Sequence, residues 1–122
     1  MDTSPDLLSR ARERYAVRDY HGAVLLLREA LAEGFGYADA HNMLGLSLAL
    51  VGRQGEALDA FDRALVLNPR YVEAHLNRAV LLNDLGRMED ARAAFEQAEQ
   101  LGRPDETGFP AVVANRLATA HA

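Results

Sequence analysis

Apolar residues recur along this chain every three or four positions, in stretches broken by glycine or proline. Leu44, Leu48 and Val51 keep this spacing and run into Gly52. Ala57, Phe61, Ala64 and Leu65 then share one side of a second stretch, which stops at Asn68-Pro69. Leu82 and Leu85 lead into Gly86, and Ala91, Phe95 and Ala98 follow, with an exit at Gly102-Arg103-Pro104. This is the period of the α-helix, and the breaks are helix terminators. The first stretch opens at Ser4-Pro5, a capping residue followed by proline at the first helical position. The next spans about Tyr20 to Glu33 and leaves through Gly34-Phe35-Gly36. The alternation that marks a strand is found nowhere. The spacing predicts an all-α protein.

The helices come in pairs, and the pairs repeat. Ala40 and His41 return as Ala74 and His75, and Gly52-Arg53 returns as Gly86-Arg87. Ala57, Ala60, Phe61, Ala64 and Leu67 return as Ala91, Ala94, Phe95, Ala98 and Leu101, every pair 34 residues apart. One period earlier, Ala23, Leu27, Ala30 and Tyr37 keep the same register. A fixed period of this length marks a stack of identical supersecondary units, none of which can bury its apolar faces alone. The small residues at 57, 64, 91 and 98 let helices approach closely. Phe61 and Phe95 are expected to fill the gap between the helices of one unit and the next.

These residues resemble the tetratricopeptide repeat. The resemblance runs through His41, Leu44, Gly45, Leu48, Ala57, Phe61, Ala64 and Pro69 in the second unit. In the third it runs through His75, Ala79, Leu82, Ala91, Phe95 and Ala98. The first unit fits at Leu7, Ala11, Ala23, Leu27 and Ala30, and departs at Arg10 and Arg14. Arg78 replaces the usual Leu in the third. The resemblance implies a right-handed α-solenoid of three helix–turn–helix repeats, at about 4–37, 38–71 and 72–105, with a C-terminal capping helix at about 107–120. Together they make one domain over residues 1–122. The implied role is binding a protein or peptide segment in a concave groove, as an adaptor or scaffold. The alternatives are a structural self-assembly module and a fragment of a longer protein of this family.

Composition narrows the function further. The 122 residues carry a net charge of −5, which opposes binding to a phosphate backbone. The local cluster Arg10, Arg12, Arg14 and Arg18 reads as a solvated helix face. No run approaches the roughly 18 apolar residues that span a bilayer, and Met1 to Leu8 lacks the layout of a signal peptide. A cytoplasmic protein without membrane or nucleic-acid partners is expected. All 13 basic residues are arginine, which points to a GC-rich bacterial genome. With no cysteine, neither disulfides nor thiolate metal sites are available. His41 and His75 are equivalent positions on adjacent units, expected too far apart to share one zinc ion. They read as half-buried fillers. Gly45-Leu46-Ser47-Leu48-Ala49 lacks the last glycine of a nucleophile elbow and sits inside a helix. No catalytic residues, metal or cofactor are expected, so the protein is not read as an enzyme.

In the family the first helix of each repeat lines the inside of the curve. The resemblance places Leu8, Arg12 and Tyr15 there from the first unit. The second unit gives Asp39, Asn42, Met43, Leu46 and Leu50, and the third gives Glu73, Leu76, Asn77, Val80, Asn83 and Asp84. Met43, Leu46, Leu50, Leu76 and Val80 form an apolar strip. Asn42, Asn77 and Asn83 flank it with amides that donate and accept. Some family members clamp a C-terminal carboxylate at the positions held here by Leu8, Arg12, Met43, Glu73 and Asn77. None of the five residues matches that pattern, so acidic chaperone tails are not expected to bind tightly. An extended ligand with apolar and basic residues is favoured. Beyond the third repeat, Phe109, Val112, Val113 and Leu117 are expected to cover that repeat's open face. The small residues Ala111, Ala114 and Ala118 suggest a homodimer through this C-terminal helix.

Overall fold

The computed structural model describes residues 4–102. The capping helix expected at about 107–120, the self-association expected through it, and the exit at Pro104 lie outside the described residues. Six α-helices follow one another: α1 (Ser4–Ala16), α2 (Tyr20–Ala32), α3 (Ala38–Leu50), α4 (Gln54–Leu67), α5 (Val72–Asp84) and α6 (Met88–Leu101). Among the described residues there is no strand. The helix ends fall within a residue or two of those the glycines and prolines predict. None is long and apolar enough to cross a membrane. The chain groups into two compact units, Met1–Pro69 and Arg70–Ala122. In the first, α1 packs on α2, α2 on α3, and α3 on α4; in the second, α5 packs on α6.

Each helical pair turns in the same way. The amide of Arg53 donates to the Leu48 carbonyl (2.8 Å) and that of Gly52 to Ala49 (3.1 Å). The same two bonds recur from Arg87 to Leu82 and Gly86 to Asn83, and from Asp19 to Arg14 and Arg18 to Tyr15. This double closure needs a left-handed residue after the helix. Gly52 and Gly86 adopt it at φ 85° and 80°. In the first pair the residue is Arg18, at φ 65°, where a Cβ is costly. The next helix then starts on an acidic group. Asp19 caps α2 by accepting from the Gly22 amide at 3.0 Å. Arg53 and Arg87 cannot accept, and instead hold Glu56 and Asp90 in the first turns of α4 and α6. Both carboxylates complement the positive end of the helix dipole.

The second helices bury one stripe each: Ala23, Val24, Leu27 and Ala30 on α2, Ala57, Ala60, Phe61 and Ala64 on α4, and Ala91, Ala94, Phe95 and Ala98 on α6. Phe61 packs inside its own hairpin. A Cβ on Gly45 of α3 would stand 2.5 Å from the ring, so the ring fills the space that the missing side chain leaves. The spacing predicts this ring between successive units, whereas the contact with Gly45 lies within one. The equivalent pairs are Ala11 with Leu27 and Ala79 with Phe95, all buried. Ser47 is fully buried and donates to the Met43 carbonyl at 2.9 Å, one turn back along α3. That bond belongs to the helix interior and leaves the Ser47 hydroxyl covered.

His41 is half-buried near the start of α3, its Nε2 facing Gly36. Burial, and next the positive charge of Arg63, hold its pKa below the ordinary 6.5. The equivalent residue in the first repeat is Leu7, which is buried. Three outcomes follow from this packing. Phe61→Ala is expected to destabilise by about 3–5 kcal/mol in urea unfolding; an unchanged midpoint would refute the assigned burial. Arg18→Gly is expected to stabilise by about 0.5–1 kcal/mol, because relief of left-handed strain outweighs the added chain entropy. For His41, folding favours the neutral ring. Its contribution is complete above pH 6.5 and is lost as pH falls through the lowered folded value. The thermal midpoint should therefore drop less on acidification in His41→Leu than in the parent, and parallel pH profiles would contradict this.

Candidate functional site

The residues expected on the groove divide by depth. Two kinds of helix account for the division. α2, α4 and α6 bury a single stripe, while α3 and α5 bury residues nearly all round: Ala40, Asn42, Leu44, Gly45, Ser47 and Leu48 on α3, and Val72, Ala74, Leu76, Asn77, Ala79, Leu81 and Leu82 on α5. A helix packed on several sides keeps only a narrow strip open. Asn42 (3% exposed), Leu76 (3%) and Asn77 (9%) fall within the buried set. The expectation that the amides of Asn42 and Asn77 flank an open strip is therefore corrected. Both are covered, and neither is free. Among the described residues no buried side-chain nitrogen or oxygen lacks a partner.

The remaining residues stay accessible. In the first unit Leu8, Tyr15, Met43 and Leu46 are half-buried, and Arg12, Asp39 and Leu50 are exposed. In the second unit Glu73, Val80, Asn83 and Asp84 are exposed on α5. One contact joins two of the expected site residues across helices. The guanidinium of Arg12 on α1 donates to the Asp39 carboxylate on α3 at 3.2 Å, with both side chains 55% exposed. Leu8 and Tyr15 lie one turn before and one after Arg12 on α1. Met43 and Leu46 lie one and two turns after Asp39 on α3. Half-open apolar side chains thus flank an ion pair within one compact unit. Tyr15 also meets Tyr20 edge to face, with ring centroids 5.3 Å apart.

Three arginines of the first repeat's cluster stand beside carboxylates. Arg10 pairs with Asp6 at 3.7 Å, Arg14 with Asp19 at 3.6 Å, and Arg12 with Asp39. Arg28 of α2 reaches Glu56 of α4, whose carboxyl is held below its usual range by hydrogen bonds from Arg53 first and Arg28 next. These exposed pairs each contribute little to stability.

Sequence reasoning missed one feature. A cleft lined by His41, Asp59, Asp62, Arg63, Val66 and Leu67 lies on α4 and the start of α3. An equivalent one, 34 residues on, is lined by Arg70, Ala93, Glu96, Gln97, Gln100 and Leu101. Val66, 79% exposed, was the available signal, an apolar residue on the polar side of its helix. Among the described residues, no group of three or more His, Cys, Asp or Glu is arranged to hold a metal ion.

Known proteins share this architecture. The profile described as Tetratricopeptide repeat matches residues 8–69 and 51–106. Tetratricopeptide repeat protein 28 of Homo sapiens is 34% identical over 77 residues, 63% of this chain. The match spans only 3% of the human protein's length. Among solved structures, the TPR2B domain of yeast Sti1 in complex with pHsp70 superposes with a TM-score of 0.86 at 15% identity, covering 98% of this chain and 96% of that one. The first TPR of Spaghetti (RPAP3), bound to the HSP90 peptide SRMEEVD, gives 0.82 at 14% identity, covering 98% and 90%. Both likenesses concern the fold. With the profile spanning most of its length, the chain belongs to the tetratricopeptide repeat family.

Proposed function

We propose that this protein is a protein-interaction adaptor that holds an extended peptide or protein segment on the open faces of its first helices, and that it is not an enzyme. The observation that carries this reading is the face shared by α1 and α3. There Leu8, Tyr15, Met43 and Leu46 remain partly open around the Arg12–Asp39 pair, with Leu50 exposed at the end of α3. Apolar side chains left half-open on a rigid pair of helices gain free energy when a partner covers them. A flexible Met among them adapts to differing side chains. Solved neighbours of this fold hold pHsp70 and an HSP90 peptide, which supports a segment-holding role. On α5, Val80 and Asn83 occupy the equivalent face of the second unit. The expected residence is cytoplasmic, in a bacterium.

A peptide array spanning apolar, basic and acidic sequences tests the reading. The parent chain is expected to retain apolar, extended peptides. Leu46→Asp and Leu50→Asp are each expected to weaken the best of them about tenfold or more while helicity is kept. Equal retention by the parent and both variants would remove the face from consideration.

A further inference from the structure

We propose that Asp39 is a specificity-determining residue, which masks Arg12 so that the face of α1 and α3 accepts apolar segments and turns away carboxylate-rich ones. The inference deepens the reading above and rests on it. Arg12 is the one basic side chain among the first unit's residues assigned to this face. Left alone between Leu8 and Tyr15, it would attract an anionic ligand, since guanidinium pairs strongly with carboxylate. Here Asp39 holds it at 3.2 Å from the facing helix.

The pair changes what the face can read. Its two charges sum to zero. An incoming carboxylate has to displace Asp39 from Arg12, or approach the guanidinium with the Asp39 charge beside it. Either route cancels most of the attraction. An apolar segment meets no such cost, because it covers the half-open Leu8, Tyr15, Met43 and Leu46 and leaves the pair standing in water. Both partners are about half exposed, so the pair adds little to folding. Its removal is therefore readable as a change in binding.

The test uses the full 122-residue chain, two labelled peptides and fluorescence anisotropy at low and high salt. One peptide is the acidic SRMEEVD. The other is an uncharged, capped, Leu-rich peptide of the same length. Asp39→Ala is expected to raise affinity for the acidic peptide about fivefold, the size of one exposed charge contact. That gain should vanish in high salt and in the double variant Arg12→Ala/Asp39→Ala. The readout is the ratio of acidic to apolar affinity, which should rise about fivefold in Asp39→Ala. An unchanged acidic affinity in Asp39→Ala overturns the masking role, as does a gain that persists without Arg12. Circular dichroism of each variant verifies the fold, and Asp39→Asn repeats the measurement with a near-isosteric side chain. If the apolar peptide binds and responds to Leu46→Asp while Asp39→Ala changes nothing, masking fails and the adaptor reading survives. If neither peptide binds the parent or any variant, both fail.

Discussion

The structure depends on how closely two helices of one hairpin approach. A helical pair separated by two large side chains would leave its backbones apart and its stripes half wet. Here one partner is always small. Gly45 admits the ring of Phe61 to within 2.5 Å of where its own Cβ would stand. Ala11 and Ala79 occupy the same place opposite Leu27 and Phe95 in the repeat. Ala23 and Ala30 of α2, Ala57, Ala60 and Ala64 of α4, and Ala91, Ala94 and Ala98 of α6 continue the close approach along the stripe. Since each is fully or almost fully buried, a larger residue at any of them would push the helices apart.

That constraint determines which parts of the chain are open. The second helices, using one narrow stripe, turn broad polar sides to water and carry Asp59, Asp62, Glu96 and Glu99 there. The packed first helices α3 and α5 have less freedom. Their exposed residues are what remains after the core has been satisfied, and a partly apolar strip is left because the same helix must present apolar residues to its packing partners. The turn geometry supports this by fixing the end of each first helix with two backbone bonds and one left-handed residue. Arg18 takes that conformation where the other two hairpins use glycine, which shows that the turn is imposed by the hairpin as a whole and not by the residue at its tip.

Most of the fold was legible because it is written three times. A single Ala-x-x-x-Phe pattern is ambiguous, but Ala57 with Phe61 and Ala91 with Phe95 at one period leave little choice. Depth was less legible. Asn42 and Asn77 looked like surface amides because Asn is usually exposed, and only the packing around α3 and α5 shows that they are covered. Register assigns a residue to a side of the helix, but whether that side is open depends on the neighbouring elements. The Arg12–Asp39 pair was equally hidden, since its members are 27 residues apart and meet only because α1 and α3 both flank α2. The cleft beside His41 has the same origin: its walls come from separate helices, and no local spacing encodes it.

Comparing the repeats position by position separates folding from recognition. Where all three second helices bury the same place, the units agree or differ by volume alone, as in Ala23, Ala57 and Ala91, or Leu27, Phe61 and Phe95. On the first-helix face they disagree in chemical kind: Arg12, Leu46 and Val80 are equivalents, as are Tyr15, Ala49 and Asn83. If that face only closed a core, the same packing demand would act three times and produce similar residues. An apolar, aromatic or charged side chain at the same structural place means that the demand differs from one repeat to the next. A segment laid along α1 and α3 presents such a demand, because each of its residues is different. A self-stacking module, which meets an identical copy of itself, has less use for the variation. The substitutions among equivalent positions therefore favour the reading in which this face meets a heterogeneous chain.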